Sequence, residues 1–230
     1  MRSTDPNPSR AATRGVLFDM DGVLVATEEL KAKAHFETVH RYGGRLAPEY
    51  YGEVMGTSHD AAAAAFISAS GAKLDPATYA EVFRSVYGGL LRGGVDVLPG
   101  VRALVSALRG RGYRLAVVSS SLQWMMDEVL SQTRLGAQFD AAVSADDVSE
   151  EKPSPEPYLK ALAELGLEPG QAVVVEDSES GVASAIAAGV PVIAVRHQYN
   201  GRHDMSGAIA ELDGLAETSG IAALIDSAFW

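Results

Sequence analysis

Short apolar runs alternate with amphipathic segments over much of this chain, and that alternation restricts its fold more than any other feature. The predicted strands are 16–18, 114–118, 141–143, 172–175 and 190–195, and the later ones are separated by predicted helices at 122–131, 155–165 and 181–188, with another at 100–109. Strands that are apolar at nearly every position are typical of a parallel sheet with helices on both faces. We therefore predict an α/β fold built on a doubly wound parallel sheet.

The segment between the first two predicted strands has a different pattern, because it shows helical periodicity and no convincing strand. Thr27 is a candidate N-cap for its first helix, with acidic residues in the first turn, and Gly43-Gly44 ends that helix. Asp75-Pro76 is an N-cap followed by proline at the first helical position of a later helix. This segment is therefore predicted to be an all-helical insertion.

These patterns predict three parts of the chain. Residues 15–29 and 95–230 form the α/β core, residues 30–94 form the helical insertion, and residues 1–14 form a tail. The tail is rich in Pro, Ser, Thr, Asn and Arg and has no apolar run, so we expect it to be disordered.

Composition excludes several classes of protein. The net charge is −11 and no Lys/Arg cluster supplies a basic face, so we expect no nucleic-acid partner. No apolar stretch approaches the roughly 18 residues that a membrane span requires. The 230 residues include no cysteine, which rules out disulfides and thiolate metal sites and fits a reducing compartment, so we expect a cytoplasmic location. Nothing in the sequence indicates an obligate protein partner.

Two carboxylates and a glycine follow the first strand, in the sequence Asp19-Met20-Asp21-Gly22. Strand alternation directs Asp19 and Asp21 to the same side while the strand lasts. Neighbouring carboxylates repel each other unless a cation lies between them, and Gly22 permits a sharp turn with positive φ. This stretch indicates a Mg²⁺ site beside a nucleophilic carboxylate, and an ordinary acidic turn is the structural alternative.

Polar groups also occur in three later loops of the predicted sheet. They are Ser119, Ser120 and Ser121 at the start of a predicted helix, Lys152 in Lys-Pro-Ser-Pro, and Glu176 and Asp177 after an apolar strand. Taken singly, these residues also fit helix caps or an exposed lysine. Because the carboxyl ends of parallel strands meet at one edge of a sheet, we expect all four loops to converge there. Carboxylates, a lysine, hydroxyls and backbone donors in one place indicate metal-assisted phosphoryl transfer.

The four segments resemble, in order, the four motifs of the haloacid-dehalogenase superfamily, in the branch with a small helical cap. The first motif matches Asp19-Met20-Asp21-Gly22-Val23, the second Ser119, the third Lys152, and the fourth the run that begins with Glu176-Asp177. The resemblance covers about residues 15–195 and is strongest to β-phosphoglucomutase-like sugar phosphatases. It implies a Rossmann-like core and a cap domain inserted after the first motif.

The resemblance also implies roles for these residues. Asp19 attacks phosphorus to form an aspartyl-phosphate, and Asp21 acts as general acid and base. Mg²⁺ is held by Asp19, the backbone carbonyl of Asp21 and Asp177, with Glu176 ligating directly or through water. Ser119 and Lys152 hold the phosphoryl group. Further contacts to phosphate or substrate are expected from Ser120, Gly22, Thr27, Lys31, His59 and Lys73.

We expect a phosphatase that hydrolyses small phosphate monoesters, sugar phosphates in particular. A phosphosugar mutase of the β-phosphoglucomutase type is the first alternative. In the mutases that the chain resembles, histidine stands at the position of Lys31 and arginine at that of His59, and these departures favour hydrolysis.

A non-catalytic, phosphate-responsive binding or signalling protein is the alternative from another class. Phosphorylated signalling receivers share a doubly wound sheet with clustered acids, but their phosphorylated aspartate follows the third strand. His197 and His203 are possible metal ligands, and we interpret them as scattered surface histidines.

Overall fold

A computed structural model describes residues 13–229 of the chain and contains one six-stranded, fully parallel sheet with strand order β3-β2-β1-β4-β5-β6. The strands are β1 (Gly15–Phe18), β2 (Arg114–Val118), β3 (Ala141–Val143), β4 (Ala172–Glu176), β5 (Val192–Val195) and β6 (Ala210–Leu212). The order reverses at β1, so the predicted doubly wound α/β fold is confirmed. Such reversal points are where ligands bind in open α/β sheets.

Helices cover both faces of the sheet and form the insertion. They are α1 (Glu28–His40), α2 (Tyr51–Val54), α3 (His59–Ser70), α4 (Pro76–Arg92), α5 (Val101–Gly110), α6 (Gln123–Thr133), α7 (Glu156–Leu165), α8 (Glu179–Ala187) and α9 (Thr218–Ser227). Alternate residues of β1 belong to different cores: Val16 and Phe18 join one apolar cluster and Leu17 joins the other. The central strand is thus buried on both faces, which explains its continuous apolar sequence.

Strand register brings the predicted site loops together. Phe18 pairs with Val117 of β2 on one side and with Val175 of β4 on the other. The N–H of Asp19 still donates to the Val175 carbonyl at 2.9 Å. The residues that follow these three strands are therefore neighbours at the carboxyl edge of the sheet.

Helices α1 to α4 form the insertion between β1 and β2, and their core is aromatic. Phe66, Tyr79, Phe83 and Tyr87 are all at most 1% exposed. Asp75 caps α4 as predicted, since its side chain accepts from the backbone N–H of Thr78 at 3.0 Å. We call α1 to α4 the cap. The domain boundaries remain a prediction, and the predicted tail lies almost wholly outside the described residues.

Several predicted details were wrong. Thr27 precedes α1 but makes no side-chain capping bond, because its hydroxyl donates to Asp21. Helix α6 starts at Gln123, one residue after its predicted start, and α8 starts at Glu179, two residues before its predicted start, with Ser178 as its cap. Strand β6 and helix α9 were missed.

Among residues 13–229, no helix combines the length and apolarity needed to cross a lipid bilayer.

Candidate active site

The two aspartates after β1 are buried and line one cavity, while Met20 between them belongs to the apolar core. Asp19 is 7% exposed, and its Oδ1 accepts from the Lys152 ammonium at 2.6 Å. Asp21 instead faces the serine loop and the cap. Adjacent members of one motif thus have different partners, which fits them for different chemical roles.

The Asp21 carboxylate accepts four side-chain contacts. Its partners are the hydroxyls of Thr27, Ser119 (3.1 Å) and Ser121 (2.8 Å) and the ammonium of Lys31 (2.7 Å). Burial alone would raise the pKa of Asp21, but Lys31 and the hydrogen bonds from Thr27 and Ser121 outweigh burial and lower that pKa. In this state Asp21 is ionised, and all its side-chain partners are hydrogen-bond donors.

Position 22 requires glycine, because of its backbone conformation and because of the atoms around it. Its φ is +79°, and a Cβ placed there would lie 2.1 Å from Oδ2 of Asp177. Gly22 does not line the cavity. Its contribution is therefore the close approach of the first motif to Asp177, and its expected contact with a phosphate stays a prediction.

The serine loop supplies hydroxyls to the cavity without capping a helix. Ser119 and Ser120 line the cavity, and Ser119 Oγ also accepts from the N–H of Ser121 at 3.0 Å. The N–H at the start of α6, on Gln123, is instead capped by Asp146 at 2.7 Å. The hydroxyl of Ser120 makes no hydrogen bond within residues 13–229, so it is available to a ligand. Thr27, in contrast, is fully buried and does not line the cavity.

Lys152 is buried at the junction of the loops. Its side chain is 2% exposed, and its ammonium donates to Asp19, to Glu176 at 2.7 Å and to the Val118 carbonyl at 2.9 Å. These three partners follow or end β1, β4 and β2, which are neighbours in the sheet. Lys152 therefore fixes the nucleophile candidate against the sheet edge and partly neutralises it.

Glu176 is committed to structural hydrogen bonds. Its Oε1 accepts from Lys152 and from the Tyr158 hydroxyl (3.1 Å), and its Oε2 accepts from Ser178 and from the N–H of Asp177. It is fully buried and does not line the cavity. Both oxygens of Glu176 are thus already engaged, and its expected ligation of a metal, directly or through water, stays a prediction. Its observed role is to shape the fourth-motif loop.

Asp177 lines the cavity, and little positive charge lies near its carboxylate. Burial, followed by the negative charges of Asp19 and Glu176, raises the pKa of Asp177 well above its usual range. Burial likewise raises the pKa of Asp19 to about 7, with Lys152 opposing the rise and Glu176 and Asp21 adding to it. Two buried carboxylates that resist ionisation together indicate a place for a cation.

The donors here fit a Mg²⁺ ion in one specific way. Within the described chain, no group of three acidic or histidine side chains is arranged to hold a metal by itself. The carbonyl oxygen of Asp21 accepts no hydrogen bond from any residue between 13 and 229, although Asp21 is 6% exposed. Two carboxylates, from Asp19 and Asp177, and this free carbonyl make an oxygen donor set that suits Mg²⁺, with water completing the shell.

The cap closes the cavity with residues that were only partly predicted. Lys31 and His59 line it, whereas Lys73 is exposed in the loop between α3 and α4 and does not. Glu28 and Tyr51 were missed: the Tyr51 hydroxyl donates to Glu28 at 2.6 Å, and Lys31 lies 3.7 Å from the same carboxylate. Helical periodicity does not separate such buried polar residues from exposed ones.

His197 was wrongly interpreted as a surface residue. Its side chain is 20% exposed, and its Nε2 lies 2.7 Å from Oδ2 of Asp177. His203 lies further away, where its Nδ1 accepts from the N–H of Glu179 at 3.2 Å.

Residues 16–195 match the family model described as haloacid dehalogenase-like hydrolase. The chain belongs to this family. Protein CbbY of Rhodobacter capsulatus is 30% identical over 216 residues, which cover 85% of this chain and 90% of that protein. Fructose-1-phosphate phosphatase YqaB of Escherichia coli strain K12 is 33% identical over 182 residues, which cover 79% of this chain and 96% of that protein.

A crystal structure of mutant CbbY from Rhodobacter sphaeroides, in complex with xylulose-(1,5)bisphosphate, matches with a TM-score of 0.79 at 29% identity. The match covers 89% of this chain and 96% of that one. With the family and these relatives, the chain is identified as an enzyme, a phosphoric monoester hydrolase of the haloacid-dehalogenase type.

Proposed function

We propose that this enzyme is a Mg²⁺-dependent phosphatase that hydrolyses small sugar phosphates through an aspartyl-phosphate. The observation that carries the proposal is one cavity lined by Asp19, Asp21, Ser119, Lys152 and Asp177. These residues come from four separate loops. Their convergence supplies a nucleophile, an acid–base group, a phosphate clamp and a cation site within one enclosure.

Hydrolysis proceeds in two displacements. In the first, a carboxylate oxygen of Asp19 bonds to phosphorus, the bond from phosphorus to the sugar oxygen breaks, and Asp21 gives a proton to that oxygen. In the second, Asp21 takes a proton from water, the water oxygen bonds to phosphorus, and the bond to Asp19 breaks to release inorganic phosphate. A bound Mg²⁺ supplies charge neutralisation and orientation of the phosphoryl oxygens.

Lys31 has to release Asp21 during this cycle. Its ammonium lies 2.7 Å from the carboxylate and, with the hydroxyl donors, lowers the pKa of Asp21. A proton donor needs the opposite shift. We infer that substrate binding moves Lys31 away from Asp21, which lets Asp21 be protonated. Lys31 belongs to α1 in the cap, so cap position and proton transfer are linked.

The charges around the cavity favour a substrate with a single phosphate. Its two lysines are already paired, Lys152 with Asp19 and Glu176 and Lys31 with Asp21 and Glu28. No arginine of the described chain lines the cavity. The distal wall holds Phe83 and the half-buried His59, whose pKa is lowered by burial.

A second phosphate would therefore be desolvated without a cationic partner, which is costly. A mutase has to hold a bisphosphate intermediate in this space, so the same observation favours the phosphatase. The relative YqaB is named for a substrate with one phosphate and the CbbY structure contains a bisphosphate, so both substrate types are present among the relatives.

Phosphate release from matched sugar substrates tests the proposal. With Mg²⁺, we expect hydrolysis of fructose 1-phosphate and a kcat/KM at least about tenfold lower for fructose 1,6-bisphosphate. His59→Arg adds a cation to the cavity wall and should reduce the ratio of the two kcat/KM values. Ala80→Arg, on the exposed side of α4, should leave this ratio unchanged. Equal rates on both sugars would refute the single-phosphate preference. Interconversion of glucose 1-phosphate and glucose 6-phosphate faster than hydrolysis would establish the mutase.

A further inference from the structure

The loop after β5 contacts Asp177 at both its side chain and its backbone. Nε2 of His197 lies 2.7 Å from Oδ2 of Asp177, and Nδ2 of Asn200 donates to the Asp177 carbonyl at 2.7 Å. Asn200 is fully buried. None of the four motifs contains this loop, so its contact with the candidate metal ligand needs its own explanation.

Backbone contacts set the protonation of the His197 ring. The N–H of Tyr199 donates to Nδ1 of His197 at 3.2 Å, so Nδ1 carries a lone pair and the ring proton is on Nε2. The Nε2–H group then donates to Oδ2 of Asp177.

The loop is itself anchored, so the ring has a fixed position. Asn200 Nδ2 also donates to the Val195 carbonyl at 2.8 Å, and Asn200 Oδ1 accepts from the N–H of His197 at 2.9 Å. One buried amide thus connects the end of β5, the backbone of His197 and the backbone of Asp177. The side chain of Asn200 therefore fixes the positions of His197 and Asp177 relative to each other.

Only one oxygen of Asp177 is left for a ligand. Oδ2 is enclosed between the His197 ring and the backbone of Gly22, where a Cβ would come within 2.1 Å of it. Oδ1 accepts no hydrogen bond from any residue in the described part of the chain. Asp177 lines the cavity. Because the contacts of Oδ2 fix the side-chain rotamer, Oδ1 is already in place before a cation binds.

We propose that His197 is a positioning residue for Mg²⁺, which holds Oδ2 of Asp177 so that Oδ1 is directed to the cation. The inference rests on the proposed function, in which Asp177 is a metal ligand. Fixing a ligand in advance removes the entropy cost of ordering it upon binding, and loss of such an outer-sphere partner typically weakens metal binding about 10- to 100-fold. His197 itself contributes no bond to the metal.

Two substitutions of His197 by amide side chains of different length test this role. The amide of His197→Gln extends to the position of Nε2 and can still donate to Asp177, whereas that of His197→Asn is one methylene shorter and cannot. Isothermal titration calorimetry of each purified variant with MgCl₂ gives its Mg²⁺ dissociation constant. We expect His197→Asn to bind about 10- to 100-fold more weakly than wild type and His197→Gln to remain within a few-fold of it.

The control is His40→Asn, an exposed histidine of α1, and thermal unfolding without Mg²⁺ confirms that each variant is folded. Equal Mg²⁺ affinity in the Asn and Gln variants would overturn the inference. A wild-type protein that binds no Mg²⁺ would instead overturn the proposed function, so the two failures are distinguishable.

Discussion

The ammonium group of Lys152 lies between two buried carboxylates, and its removal should be costly even without substrate. Asp19 and Glu176 accept from it at 2.6 and 2.7 Å in a site where the lysine side chain is 2% exposed. The cluster contains one cation and two carboxylates, and Oε2 of Glu176 also accepts from the backbone N–H groups of Asp177 and Ser178. A buried charge that loses its partner is far less stable than a buried pair.

We therefore expect Lys152→Met to lower the free energy of unfolding of the metal-free protein by about 3–5 kcal/mol. Lys33→Met, a change of the same kind on the exposed face of α1, should cost less than about 1 kcal/mol. Urea denaturation of both variants measures the difference. Similar losses in the two variants would show that the Lys152 cluster adds no stability.

The sequence predicted site residues that directly follow strands, but not the contacts that depend on how the loops fold. Asp19, Lys152 and Asp177 belong to loops at the edge of a parallel sheet, and the strand pattern alone places such loops together. The hydrogen bonds of Glu176 with Lys152 and Ser178 could not be predicted, because they depend on three-dimensional geometry that a local sequence pattern does not specify. His197 was wrongly interpreted as a surface residue, because it reaches Asp177 only through a folded loop that Asn200 anchors.

At the scale of elements, helix prediction succeeded where apolar periodicity was strong and failed where tertiary contacts set the boundary. Strands β2 and β3 were predicted at their observed limits, because their apolar runs are bounded by polar residues. Strand β6 has only three residues and no apolar run. It is held by pairing with β5, and pairing partners are not visible in a local pattern.

The aromatic core of the cap encloses one histidine. His35 is 4% exposed and its ring packs between those of Phe66 and Phe83, with centroids at 4.8 and 4.5 Å. It also contacts the hydroxyl of Tyr79. Burial, with smaller effects from His59 and Lys31, lowers the pKa of His35 to about 3. The folded cap therefore contains a neutral imidazole.

This histidine should make the protein sensitive to acid. The unfolded chain takes up the proton near pH 6.5 and the folded chain only near pH 3, so stability falls as the pH decreases through this window. At pH 4.5 the loss through His35 is about 2–3 kcal/mol. His35→Phe, which keeps an aromatic ring, should lose less stability between pH 7 and pH 4.5 than wild type.

Thermal unfolding at the two pH values measures this, with His40→Phe on the exposed end of α1 as the control. If wild type, His35→Phe and His40→Phe all show the same decrease in unfolding temperature, His35 does not account for the acid sensitivity.

At the scale of the whole molecule, the sheet edge and the cap contribute opposite halves of one site. The core supplies Asp19, Ser119, Lys152 and Asp177, and the cap supplies the wall that contains Lys31. The contact from Lys31 to Asp21 joins the halves across the cavity. In the proposed mechanism the core residues carry the chemistry, and the cap supplies the wall that would face the rest of the substrate.

The central claim is that Asp19 becomes phosphorylated in a Mg²⁺-bound cavity. Rapid acid quenching during turnover of fructose 1-phosphate, followed by peptide mass spectrometry, tests it directly. We predict a phosphoryl group on the peptide that contains Asp19, present with Mg²⁺ and absent with excess chelator or in Asp19→Asn. A phosphoryl group on another residue such as Ser119, or undiminished turnover by Asp19→Asn, would contradict the account.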